Sequence, residues 1–77
     1  MRTSDLAAAA AVRGQLQSGA ARQARKAAGV SAADVARAVK VSRATVSDWE
    51  TGRKMPTAEH ALAYGRVLAA LRERESR

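Results

Sequence analysis

Seventy-seven residues allow one small domain, with little room for an enzyme's deep cleft. The composition is 47% hydrophobic with no cysteine, so neither a disulfide framework nor a cysteine zinc site can supplement the core, and helix packing has to stabilise it. A formal charge of +7 points to polyanionic partners, nucleic acid before an anionic membrane surface.

Clusters of β-branched residues in period-two alternation are absent and proline occurs once, so the chain reads as all-α. A first helix is expected over residues 4–17, capped by Thr3 or Ser4, with Leu6, Ala9, Ala10, Val12 and Leu16 as a thin apolar stripe. Its apolar run over residues 6–12 is too short to cross a bilayer and lacks a preceding basic region, so neither a membrane span nor a signal peptide is expected, and the location is expected to be cytoplasmic. A second helix over residues 19–28 places Ala21, Ala24 and Ala28 on one side and stops at Gly29.

Ser31 caps a third helix, with Asp34 placed to complete a capping box and Val35, Ala36 and Val39 facing inward. After Lys40 and Val41, Ser42 caps a fourth helix, whose inward positions are Val46 and Trp49 and whose end is Gly52. Arg53, Lys54 and Met55 form a basic loop before Pro56. Thr57 then caps a last helix to about Arg74, with Leu62, Gly65, Leu68 and Leu71 as its apolar face and residues 73–77 fraying.

Two short helices joined by a tight turn, the second entered through a capping serine, fit the helix-turn-helix unit. Arg25, the run GVSAADVARAVKVSRATVSDWETGRKMP over residues 29–56, and L-x-x-G-x-x-L over residues 62–68 resemble the Xre or lambda-repressor-like (Cro/C1-type) helix-turn-helix proteins. The resemblance covers residues 21–68 and implies a compact bundle of four to five helices with an extra N-terminal helix. Residues 1–18 are then a helical extension and residues 19–77 the DNA-binding domain.

By that resemblance, residues 42–51 are the recognition helix in the major groove of double-stranded DNA. Arg43, Ala44, Ser47 and Asp48 fall at its base-facing positions, which is consistent with Val46 and Trp49 sharing the opposite face. The chemistry suits base reading: arginine can grip guanine bidentately, aspartate can accept from the cytosine amine, and alanine can touch a thymine methyl. Ser31, the Ala32 N–H, Thr45, Thr51, Arg53 and Lys54 are expected on phosphates, where they set register. Arg25 and Glu50 occupy the positions of a partly buried structural ion pair.

Two departures from the family pattern stand out. Lys40 lies where glycine is common, so the turn either avoids positive φ or accepts strain. The chain also ends where the family usually continues into a fifth helix, leaving Leu68 and Leu71 to be covered by the N-terminal helix, within the chain or across a dimer. His60 has no second histidine or cysteine beside it, so no metal site and no cofactor are expected.

The expected function is a sequence-specific transcriptional regulator, a repressor of phage, plasmid or mobile-element type from a bacterial or phage genome, acting as a homodimer on a palindromic operator. The alternative is an antitoxin or accessory protein whose main duty is binding a protein partner, with DNA binding for autoregulation. No nucleophile–base pair, phosphate-binding glycine loop or metal cluster is evident, so an enzyme is not expected.

Overall fold

Serines open the two central helices and left-handed residues close them. The computed structural model describes residues 1–75, which form α1 (Thr3–Ser18), α2 (Ala20–Ala27), α3 (Ala32–Val39), α4 (Arg43–Thr51) and α5 (Ala58–Glu75). Ser31 Oγ accepts the Asp34 N–H at 3.0 Å while the Asp34 carboxylate accepts the Ser31 N–H at 3.0 Å, a reciprocal capping box at the start of α3. Ser42 Oγ accepts the Thr45 N–H at 3.1 Å and opens α4 in the same way. Gly29 (φ +73°) and Gly52 (φ +80°) supply the left-handed backbone beyond α2 and α4.

Lys40 closes α3 at φ 67° and ψ 47°, the one non-glycine residue with positive φ among those described. The turn accepts the strain because the next N–H, from Val41, caps the Ala36 carbonyl at 3.0 Å and carries half-buried Val41 against the core. Since the Lys40 side chain is exposed, Lys40→Gly should remove backbone strain without losing packing, raising stability by about 0.5–1 kcal/mol. A urea denaturation midpoint checks this, and a lowered midpoint would mean that glycine's unfolded-state entropy outweighs the relief.

The core lies between α1 and α5 on one side and α3 and α4 on the other. Ala9, Val12 and Leu16 of α1, Val35, Ala36 and Val39 of α3, Val46 and Trp49 of α4, and Ala61, Tyr64 and Leu68 of α5 are buried in one cluster with Ala21 of α2. Burying side chains of the Val and Leu class stabilises by about 1.5–3 kcal/mol each. α1 approaches α5 closely at Gly65, where a Cβ would come within 2.9 Å of Val12 Cγ2. Trp49 sits in the core with its ring 5.7 Å from His60 and 6.5 Å from Tyr64, both on α5.

Several expected details shift. α1 begins at Thr3 with Arg2 as its cap, because Asp5 lies three residues on and accepts the Arg2 N–H at 3.4 Å. Leu6 is 52% exposed and Ala10 is exposed, so only Ala9, Val12 and Leu16 of the proposed stripe reach the core. On α2 only Ala21 is buried; Ala24 is exposed and Ala28 half-buried. The buried face of α5 is turned toward Ala61, Tyr64 and Leu68, while Leu62, Gly65 and Leu71 are half-buried. This rotation follows from α5 packing against α1, α3 and α2 together.

α1 covers Leu68 within the same chain and leaves Leu71 half-buried beside Gln15, Ala20 and Ala24. α5 stays helical through Glu75 where fraying was expected, and residues 76–77 lie outside the described residues. Among the described residues no helix is long and apolar enough to cross a membrane.

Candidate nucleic-acid interface

The α3–turn–α4 unit presents one side of α4 outward because the other is anchored three times over. Val46 and Trp49 are buried, and Glu50 is held by a charge from α2. Arg43, Ala44 and Ser47 are consequently exposed, while Asp48 is half-buried. The Asp48 backbone carbonyl accepts the Arg53 N–H at 2.9 Å and the Lys54 N–H at 3.3 Å. Those bonds fold the basic loop back onto the end of α4, with the Arg53 and Lys54 side chains exposed.

The remaining sequence-predicted positions differ in what they can offer an anion. Ser31 is exposed, and its Oγ accepts an N–H, which leaves its proton available to donate. The Ala32 N–H stands in the first turn of α3, where no intrahelical acceptor exists. Thr45 is half-buried, with its Oγ1 2.8 Å from Ser42 Oγ. The Thr51 hydroxyl donates to the Ser47 carbonyl at 2.9 Å, so it has to rotate before it can donate to a phosphate.

Arg25 and Glu50 form a bidentate pair, Nη2 to Oε1 at 2.7 Å and Nε to Oε2 at 2.9 Å, with side chains 8% and 4% exposed. Arg25 Nη1 also donates to the Val30 carbonyl at 3.0 Å, and the Tyr64 hydroxyl donates to Glu50 Oε2 at 2.7 Å. One network thereby ties α2, the α2–α3 turn, α4 and α5 together. Burial by itself pushes the Glu50 carboxyl up, but hydrogen bonds from Arg25 and Tyr64, with the charges of Arg25 and Arg22, hold it below its ordinary value. The same carboxylate raises the Arg25 pKa through its hydrogen bond, while burial, then Glu50, push the Tyr64 phenol far up, so Tyr64 remains a donor. Asp34 is held below the usual range by its bonds to Ser31, and it pairs with exposed Arg37.

Two residues of this region escaped the sequence reading. Tyr64, fully buried on α5, anchors Glu50; the available signal was the chain's single tyrosine within an apolar helix, since a buried phenol needs a partner. Arg22 lines a groove with Ala32, Arg43, Ser47 and Thr51, beside the Arg25–Glu50 pair. Its signal was its place one turn before Arg25. Among the described residues no cluster of His, Cys, Asp or Glu could hold a metal ion.

Comparison with known families adds the deciding observation: a helix-turn-helix family profile matches residues 22–73, most of the chain. The chain belongs to the Cro/C1-type, Xre-like helix-turn-helix family. It is a DNA-binding helix-turn-helix regulator whose partner is double-stranded DNA. The family match begins inside α2, so α1 lies outside the matched residues. No curated protein and no solved structure matches the chain.

Proposed function

We propose that this protein is a sequence-specific repressor of phage, plasmid or mobile-element type that works in a bacterial cytoplasm by occluding its operator. The observation that carries the reading is the two-faced α4: Val46, Trp49 and Glu50 are fixed in the protein, and Arg43, Ala44, Ser47 and Asp48 line the side that would face base edges. Ser31, the Ala32 N–H, Thr45, Thr51, Arg53 and Lys54 surround that face and set its register on phosphates. Residues 19–77 do the binding, and residues 1–18 complete their core from outside the matched residues.

A homodimer on a palindromic operator accords with the size of the molecule. The longest extent of the chain is 30 Å. A two-fold dimer needs its two recognition helices one DNA turn apart, roughly 34 Å, a spacing that copies of this extent can reach side by side. Selection from randomised duplex DNA at near-physiological salt tests the reading. Enrichment of a palindrome with half-sites about 10 base pairs apart is expected. An unsymmetric motif would retain the regulator and remove the dimer, and no enrichment would remove sequence specificity altogether.

A second reading, an antitoxin or accessory protein that holds a protein partner, would use α1, where Leu6 is 52% exposed. Enrichment of a palindromic operator alone does not separate it from the first, but a toxin retained through Leu6 would.

Arg53→Ala should weaken binding to selected and random DNA alike and reduce the magnitude of the salt slope by about 0.9, since one phosphate contact disappears. Binding isotherms between 50 and 200 mM salt, an interval of about 0.6 log units, are enough to read that change. An unchanged slope would take Arg53 off the contact surface.

A further inference from the structure

We propose that the groove between α2 and α4 seats a DNA backbone phosphate, and that Arg22, which lies at the edge of the family match, is its principal ligand. This rests on the DNA-binding reading and extends the binding surface to a helix outside the helix-turn-helix pair. The groove brings Arg22 together with Ala32, Arg43, Ser47 and Thr51, residues from three helices. Its charge is unbalanced. Arg25 and Glu50 also line it, but they neutralise one another through two hydrogen bonds, and the remaining acceptor capacity of Glu50 is taken up in part by Tyr64. Arg22 and Arg43 are left as net positive charge. Among the described residues neither makes a hydrogen bond or salt bridge of its own and both are exposed; the Arg22 charge acts on Glu50 from a distance, but that carboxylate is already matched by Arg25.

The ligand chemistry follows from what lines the groove. A guanidinium presents a planar fork of donors that matches two phosphate oxygens. The Ala32 N–H, unused inside its own helix, adds a neutral donor on the α3 side, although an N-terminus alone would not make this a site. The carboxylate at that end of α3, Asp34, is turned to Arg37 and to the Ser31 N–H, so its charge is compensated outside the groove. A phosphodiester seated there lies alongside the exposed face of α4, as backbone flanking a groove occupied by a recognition helix should.

The test uses the full chain and a duplex taken from the selection described above, with Kd measured between 50 and 200 mM salt for the parent, R22A, R22K and K26A. Lys26 is exposed on the same helix but does not line the groove, so K26A controls for a mere loss of net charge. The expected result is a salt slope smaller by about 0.9 in R22A, with Kd weakened roughly 3- to 10-fold on selected and scrambled duplexes alike, while K26A stays near the parent and R22K keeps the parent's slope with a smaller loss of affinity, since an ammonium neutralises the phosphate without the guanidinium's fork. The proposal is overturned if R22A keeps the parent's slope, if K26A loses as much as R22A, or if R22A changes preference at a single base pair. Absence of salt-dependent binding by the parent would instead sink the DNA-binding reading on which the proposal stands, so the two failures are distinguishable.

Discussion

Replacing Glu50 with alanine is expected to destabilise the fold by about 3–5 kcal/mol. The pair it belongs to is nearly inaccessible, with side chains 8% and 4% exposed, so the loss of one partner strands the other charge away from water. Arg25 would keep only the Val30 carbonyl, and the Tyr64 hydroxyl would lose its acceptor. Against a domain stability of roughly 5–15 kcal/mol, with a chain of this size near the lower end, that loss unfolds a large fraction of the molecules. Glu50→Gln should not rescue it. Both carboxylate oxygens accept from Arg25, so either orientation of a glutamine amide turns an N–H₂ against a guanidinium donor. Replacing both partners with apolar residues of similar volume should cost much less than the two single losses added together. Urea denaturation of the two singles and the double decides the matter: a single loss under about 1 kcal/mol would mean the pair behaves as an exposed one.

The same network sets an acid limb. Glu50 is held below its unfolded value, so its contribution is fully present above the ordinary carboxylate range, near 4.5, and is lost as pH falls through the lower folded value. Stability of the parent should therefore fall below about pH 4.5, and the fall should be shallower in a variant lacking both Arg25 and Glu50. Equal acid limbs in the two proteins would assign the pH dependence to other carboxylates.

How much of this was legible in the sequence depended on whether the signal was local. Ser31 with Asp34, Ser42, Gly29 and Gly52 act within a turn of the chain, and their consequences could be read directly. The inward positions of α3 and α4 were readable for the same reason, since short amphipathic helices leave one choice of face. The face of α5 was not, because a long helix packed against several neighbours together can turn by a residue and still bury apolar groups, and Ala61 and Tyr64 replaced Leu62 and Gly65 in the deepest layer. Arg25 and Glu50 were paired only through family resemblance. Nothing in a separation of 25 residues announces a contact, and the third member, Tyr64, went unseen until α5 was packed against α4.

Arg43→Ala should relax preference at one base pair of each half-site by about 1–3 kcal/mol, because it removes the one bidentate donor from the exposed face of α4. Its position makes a second, opposite effect predictable. Arg43 is the first residue of α4, where the positive end of the helix dipole disfavours a cation by about 0.3–1 kcal/mol, and it makes no compensating salt bridge among the described residues. Alanine there is also a better helix former. The variant should therefore be slightly more stable than the parent while reading DNA less well, whereas Glu50→Ala loses DNA binding only as it unfolds. Kd values on single-base permutations of the selected operator, paired with denaturation midpoints, separate the two. Equal losses on selected and random DNA would make Arg43 a phosphate ligand in the groove it shares with Arg22, and base reading would then rest on Ala44, Ser47 and Asp48 alone.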